Sequence, residues 1–380
     1  MKKIGILTFY YPENRNFGAL LQTYASFNIL KELNHSPEII NYNNTRDFKN
    51  KGAKGKIFLL FNMILGRVGL FIYPKNKKIK LDFYFGFKKF LKNFLKLTLA
   101  SHSTKKLKKL NKTLDIFIVG SDQVWRMWNK NDFFPSYFLD FVDEDKKKIS
   151  YAASFGLDEW KEKPEITSKV RKLLKRFDYI SVREESGIDI CKKTFGIDSV
   201  CVLDPTLVLP KEKYQLIIDE YKDKSHLNKK YIAHMLLDDN DNLRKYSNKI
   251  ADRLKCEINY IKGHYKKILW KKIFVYNGVG QWLTYLKDSE LVITDSFHCT
   301  VFSIIFHKKF IVIANPQRGN TRLENLLNIV GLEDRFFTDI KEVENSGILE
   351  KEINYEEVEK KLNVKRKYSI DFLKNALGEN

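Results

Sequence analysis

The chain has 380 residues, 68 Lys and Arg against 47 Asp and Glu, a formal net charge of +21, and 43% hydrophobic and 14% aromatic residues. That apolar content excludes a disordered chain, which needs low hydrophobicity together with high charge. Four well-separated cysteines (Cys191, Cys201, Cys256, Cys299) exclude a disulfide-stapled module, offer no CxxC pair for zinc, and fit a reducing, cytoplasmic compartment.

In chain order, the apolar run after Lys2-Lys3 breaks at Pro12-Glu13. It is too short for a signal peptide and reads as a strand over Ile4–Thr8. The loop Asn14–Gly18 is similar to a phosphate-cradling turn, although it lacks a full GxGxxG. A helix over Ala19–Leu33 and a strand over Ile39–Tyr42 follow. Next comes the segment that holds most of the charge: between Lys49 and Lys112 stand 17 Lys and Arg67 against Asp82 alone. The rest of the chain is nearly neutral, so the global charge is not a nucleic-acid signal. Within this segment the apolar stretch Ile57–Tyr73 is too short and interrupted to span a bilayer, which takes about 20 apolar residues. Phe83–Leu97 reads as an amphipathic helix with Phe83, Phe87, Phe90, Leu91, Phe94 and Leu97 on one face and Lys88, Lys89, Lys92 and Lys96 on the other. Two readings stand: a core-facing helix with a solvated lysine face, or a helix lying on an anionic membrane.

Short β-branched runs then alternate with helices. Ile116–Val119 ends in Gly120-Ser121-Asp122, and Ile149–Ala153 ends in Ser154-Phe155-Gly156. A helix over Glu165–Phe177 leads to the strand Tyr179–Val182, which ends in Arg183-Glu184. A helix over Gly187–Phe195 leads to Val200–Leu203, which ends in Asp204-Pro205. After Pro210 come a strand at Tyr231–Leu236, a turn at Asp238–Asp241, a helix at Leu243–Leu254, a strand at Glu257–Ile261 and a helix at Gly280–Lys287. Strand Leu291–Thr294 exits through Asp295-Ser296-Phe297-His298 into a helix over Cys299–Phe306, then strand Phe310–Ala314 and charged helices over Tyr355–Leu377. This alternation implies βαβ units and parallel sheets. The expected architecture is two Rossmann-like parallel-sheet domains, 1–208 (with the basic insertion at about 49–112) and 209–380, facing across a cleft.

Ligands of such sheets bind beyond the carboxyl ends of the strands, where Asn16, Gly18, Ser121, Asp122, Ser154, Arg183, Asp204, Asp295 and Ser296 fall. Small polar residues also make good turns, so no one of them is decisive. His298 is the sharpest candidate. A helix N-terminus, with Ser296 placed to cap it, attracts phosphate or carboxylate, and a histidine there can donate a proton to the bound anion's substrate; the plain alternative is a structural histidine under the domain interface. Arg183 suits bidentate binding of phosphate or carboxylate, or else a salt bridge to Glu184. Arg318 and Arg322 add charge after the next strand. Nothing in the sequence demands a metal or a cofactor.

Seven ordered stretches together resemble the polysaccharide pyruvyl transferase family: NRNFGALLQTYA (Asn14–Ala25), DIFIVGSDQVW (Asp115–Trp125), ISYAASFG (Ile149–Gly156), SVREESG (Ser181–Gly187), VLDPTLVL (Val202–Leu209), LVITDSFHCTVFSIIF (Leu291–Phe306) and NTRLENLL (Asn320–Leu327). The resemblance implies a GT-B arrangement with the active site between the domains. It also implies transfer of pyruvate from phosphoenolpyruvate onto a glycan, soluble or lipid-linked, as a ketal. His298 matches the family's catalytic histidine and Arg183 a donor-binding arginine. Where members with an Arg-x-His form carry arginine, this chain has Ser296, with Arg318 and Arg322 the nearest cations. Expected partners are phosphoenolpyruvate, a glycan acceptor and an anionic membrane surface at Lys49–Lys112, with no nucleic acid. The expected location is cytoplasmic, peripheral at the inner face of the membrane. Rival readings are a glycosyltransferase using a nucleotide-sugar donor and a non-catalytic membrane-associated binding protein.

Overall fold

The structure is a computed structural model that describes residues 1–11, 15–42, 70–75, 78–83, 85–101, 103–127, 135–220, 229–268 and 271–379. Asn14, Lys49–Arg67 and the apolar stretch up to Gly69 lie outside the described residues. Six strands form the first sheet: β1 (Lys3–Leu7), β2 (Ser36–Ile39), β5 (Ile116–Val119), β6 (Lys147–Ala153), β7 (Tyr179–Val182) and β8 (Val200–Cys201), in the order β2-β1-β5-β6-β7-β8 and all parallel. β9 (Tyr231–Met235), β10 (Glu257–Tyr260), β13 (Leu291–Thr294), β14 (Lys309–Ile313) and β15 (Phe336–Phe337) make a second parallel sheet in the order β10-β9-β13-β14-β15. The central strands are buried on both faces, which is why they read as unbroken apolar runs rather than as alternating ones.

A third sheet was not expected. The hairpin β3 (Leu70–Lys75) and β4 (Lys78–Phe83) belongs to the basic insertion, and β11 (Gly263–Ile268) and β12 (Lys271–Tyr276) to the second half of the chain. Together they form a four-stranded sheet through parallel pairing of β12 with β4.

The longer helices among the described residues are α1 (Phe17–Glu32), α2 (Phe85–Phe94), α3 (Pro164–Leu174), α4 (Lys211–Glu220), α5 (Asp241–Leu254), α6 (Val279–Lys287), α7 (Phe297–Ile305), α8 (Thr321–Val330) and α9 (Tyr355–Leu377). α1 is buried almost all round. It packs on the first sheet while Tyr24 Oη donates to Lys213 O at 2.9 Å, so one continuous apolar cluster joins the two halves. α2 settles the question of the amphipathic helix. Phe87 and Phe90 are fully enclosed, Phe87 packing on Phe17 and Phe90 on Tyr24, while Lys89, Lys92 and Lys96 face solvent. Its apolar face is core. The tail is a single helix, α9, that returns to the first sheet: Lys2 and Lys147 donate to the carbonyls of Leu377 and Ala376, and Ser369 accepts from Leu203 N at 3.0 Å. No helix among the described residues is long and apolar enough to cross a membrane.

Candidate active site

A cavity of about 900 Å³ opens where the carboxyl ends of the two large sheets face each other. The N-terminus of α1 contributes Asn16 and Gly18, the loop after β5 contributes Asp122, and the segment after β9 contributes Asp238. The turn after β13 contributes Asp295, Ser296 and His298, and the loop after β14 contributes Arg318 and Arg322.

His298 lies in the first turn of α7 and is held on two sides. Against one side packs Gly18: a Cβ there would fall 2.2 Å from His298 Nδ1, so only glycine lets the helix backbone approach the ring. On the other side, His298 Nε2 is enclosed without a hydrogen bond, 3.6 Å from Asp204 Oδ2. Asp204 is the hub of this floor. Its carboxylate accepts from Ser121 Oγ at 2.7 Å, Arg183 at 3.0 Å, and Thr206 through both N (3.0 Å) and Oγ1 (2.5 Å). Burial alone would raise the Asp204 carboxyl. His298, Arg183 and the Thr206 hydroxyl outweigh it and hold Asp204 ionised, far below the usual carboxylate range. Arg183 is itself fully buried. Burial would lower its pKa, but Asp204, Glu184 and Asp122 keep it raised, and its guanidinium stacks 4.5 Å from the Phe297 ring centroid. The result is a histidine in the cavity wall with a buried carboxylate 3.6 Å behind its Nε2, an arrangement within reach of proton transfer.

The walls are cationic. Arg322 donates to Arg318 O at 3.0 Å, has an enclosed Nε with no partner, and lies within ion-pair distance of no carboxylate among the described residues. Burial and then the neighbouring Arg183 lower its pKa to about 10. Glu184 and Asp122 offset this only in part, and a partly desolvated guanidinium without a close ion pair suits an anionic ligand. Arg318 is engaged differently, in a two-pronged pair with Asp238 at 2.6 and 3.0 Å. Arg126, Arg15 and Lys262 complete the positive lining, with Phe9, Tyr11, Tyr137 and Tyr276 as aromatic wall.

The family model for polysaccharide pyruvyl transferases matches residues 16–317. The chain belongs to the polysaccharide pyruvyl transferase family. No curated protein matches its sequence. Among solved structures it is similar to S. aureus MnaA in complex with UDP (TM-score 0.53, 12% identity, covering 100% of this chain and 98% of the other). It is similar also to UDP-GlcNAc 2-epimerase from Neisseria meningitidis bound to UDP-GlcNAc (TM-score 0.51, 10% identity, covering 100% of both). At such identity these likenesses establish the fold alone, two parallel-sheet α/β domains of GT-B type.

Within this family member, the site residues expected from sequence divide into two groups. Asn16, Gly18, Asp122, Asp295, Ser296, His298, Arg318 and Arg322 all line the cavity. Arg183, Ser121 and Ser154 do not. Arg183 stands behind Phe297 with its charge turned to Asp204; Ser121 donates to the same carboxylate; Ser154 donates to Glu184 Oε1 at 2.6 Å. These three are the scaffold under the floor, held there by hydrogen bonds to Asp204 and Glu184. Asn16 caps α1 by accepting from Ala19 N at 3.2 Å. Ser296 occupies the N-cap position of α7, but its side chain makes no cap hydrogen bond. Asp295 is taken up by Leu237 N and Asn315 at 2.7 Å each, and burial raises its pKa. Asp238, Arg126 and Lys262 went unassigned as site residues, and Asp204 was placed at a strand end without a role. Asp238 read as part of a surface turn; Arg126 and Lys262 carry no local motif.

Proposed function

We propose that this protein transfers pyruvate from phosphoenolpyruvate onto hydroxyls of a cell-surface glycan or its precursor. The observation that carries the reading is His298, fixed between Gly18 and the ionised Asp204 in the wall of a cavity where Arg322 has no carboxylate partner. A doubly anionic donor needs both features. Arg322, Arg126 and the open N-terminus of α7 bind its phosphate and carboxylate. His298, backed by Asp204, gives a proton to the methylene carbon of the enol, leaving positive charge at C2. An acceptor hydroxyl forms a bond to C2, and the C2–O bond to phosphate breaks. A second hydroxyl closes the ketal. Of the two protons released by the hydroxyls, one returns to His298 and the other leaves with phosphate.

Incubation with labelled phosphoenolpyruvate and a panel of soluble and lipid-linked glycans gives acceptor-dependent phosphate release, absent in His298→Ala. Failure to release phosphate with any acceptor overturns the proposal. A thermal-shift titration separates it from the nucleotide-sugar reading: phosphoenolpyruvate stabilises the protein, whereas stabilisation by UDP-GlcNAc alone favours a glycosyltransferase.

A further inference from the structure

Among the places where the two halves of the chain meet, one is a polar crossing beside the cavity. The loop after β6 carries Gly156 and Asp158, and the loop before α8 carries Gly319, which lines the cavity. Both glycines hold left-handed backbone, φ +69° at Gly156 and +80° at Gly319, and a Cβ on Gly319 would come 3.4 Å from the Gly156 carbonyl oxygen. The first loop is tied to the floor: Ser154 Oγ accepts from Gly156 N at 3.0 Å and donates to Glu184 Oε1 at 2.6 Å. From this loop Asp158 Oδ2 accepts from Thr321 Oγ1 at 2.6 Å. Thr321 is the first residue of α8 and Arg322 the second. The helix's own N-cap does not do this work, because Asn320 turns its side-chain oxygen back to Asn315 N at 2.9 Å and makes no cap bond. Yet the turn needs a restraint. Arg322 lines the cavity with its Nε enclosed and without a hydrogen-bond partner among the described residues, and an unsatisfied buried donor favours turning the side chain out to water.

We propose that Asp158 is a positioning residue: by holding Thr321 across the boundary between the two halves, it keeps the first turn of α8 in place and so aims Arg322 into the cavity. Asp158 is exposed and is not among the residues that line the cavity, so it acts through Thr321 and not on the ligand. What Arg322 is aimed at rests on the pyruvyl-transfer reading; that the turn is held from the other half of the chain does not. His298 belongs to a different turn, that of α7, so the effect falls on donor binding rather than on proton transfer.

Calorimetric titration with phosphoenolpyruvate measures the effect. Asp158→Ala raises Kd about two- to tenfold, the contribution of one hydrogen bond, and Thr321→Val does the same. The double variant is no weaker than either single one, because both remove the same contact. Asp158→Asn, which keeps an acceptor for Thr321, stays closer to the parent than Asp158→Ala does. In an Arg322→Gln background Asp158→Ala has no further effect. Turnover shows the same split: Asp158→Ala raises KM for phosphoenolpyruvate and leaves kcat unchanged. An unchanged Kd, additive losses in the double variant, or an equal loss in the Arg322→Gln background overturns the assignment. Hydrogen exchange without ligand is the second arm. The amides of Leu323 and Glu324, which donate to Asn320 O at 2.8 and 3.0 Å, exchange faster in Asp158→Ala and in Thr321→Val. Unchanged exchange overturns the restraint. Should phosphoenolpyruvate not bind the parent protein while exchange still rises in the variants, the donor reading falls and Asp158 remains the residue that holds the turn.

Discussion

Replacing Gly18 with alanine tests whether the position of His298 sets the rate. The added Cβ would lie 2.2 Å from His298 Nδ1, 2.4 Å from Cγ and 2.7 Å from Cβ. Carbon atoms rest at about 3.5–4.0 Å, so the ring must withdraw by more than about 1 Å. Retreat is blocked behind it, because Nε2 already lies 3.6 Å from a completely buried carboxylate. A misplacement of about 1 Å costs about 100-fold in rate, so kcat for phosphate release should fall by about that factor. Stability should hold. Alanine gains about 0.5–1 kcal/mol over glycine inside a helix, against roughly 1–3 kcal/mol for overpacking, a net loss of at most about 2.5 kcal/mol. The assay is phosphate release from phosphoenolpyruvate, run beside thermal unfolding and a calorimetric Kd for the donor. A folded Gly18→Ala protein within threefold of the parent kcat would refute the reasoning, since the ring would then have moved without consequence.

Other expectations follow from the same floor and walls. Asp204→Asn removes the counter-charge of both Arg183 and His298; breaking a buried pair costs about 3–5 kcal/mol, and turnover falls even where the protein remains folded at low temperature, as kinetics beside urea unfolding would register. In the parent protein the folded-state pKa of Asp204 is depressed. Its contribution is therefore complete above the unfolded carboxyl value of about 3.9 and is lost as pH falls below it, so unfolding free energy should decline below about pH 4 and the Asp204→Asn variant should lose that part of the decline. Arg322→Gln removes a charge-assisted contact worth about 1.5–3 kcal/mol, which raises KM for phosphoenolpyruvate about 10- to 150-fold; an unchanged KM would remove Arg322 from the donor site. Lys105, Lys106, Lys108, Lys109 and Lys112 are exposed and form no ion pair among the described residues, and Leu99 nearby is 91% exposed. At about 1 kcal/mol per lysine near an anionic surface, reversing four of these charges should abolish sedimentation with anionic vesicles and spare turnover of a soluble acceptor; persistent sedimentation would leave the lysines as a solvated face.

The parallel-sheet architecture was legible because buried parallel strands must be apolar throughout and must end where the chain turns polar. Ile116–Val119 and Leu291–Thr294 show that signature without ambiguity. The cavity was legible for a related reason: strand order aside, carboxyl ends converge, so His298, Asp122 and Arg322 could be placed on its rim. Direction was not legible. Arg183 and Ser121 sit at the expected ends, yet both turn toward Asp204, a choice made by packing around Phe297 that no spacing rule encodes. Nor was the four-stranded sheet. Its parallel pairing joins Asp82 and Phe83 to Phe274 and Val275, and so remote a contact leaves no periodic trace in either segment. Lys262 escaped for the same reason, since only the hydrogen bonds from Asn277 to the carbonyls of Ile261 and Lys262 explain why a lysine between Ile261 and Gly263 faces inward.

Ser296 is where this chain departs from the Arg-x-His pattern, and the proposed donor pocket must draw its charge from other residues. The residue two before His298 sits at the N-cap of α7 with an uncommitted hydroxyl. Its backbone N–H is already spent on Thr294 Oγ1 at 3.0 Å. Of the two arginines expected to compensate, Arg318 is neutralised by Asp238, whose carboxyl its guanidinium lowers to about 2. Arg322 has no such close pair. It enters from the first turn of α8, and desolvation and then Arg183 lower its pKa, against the more distant carboxylates Glu184 and Asp122. A phosphate or carboxylate arriving there relieves that repulsion as well as forming new hydrogen bonds, so the binding free energy of the anion includes the cost already built into the empty pocket. Ser296 leaves the first turn of α7 without a side-chain cap, and free amides at a helix N-terminus favour anions.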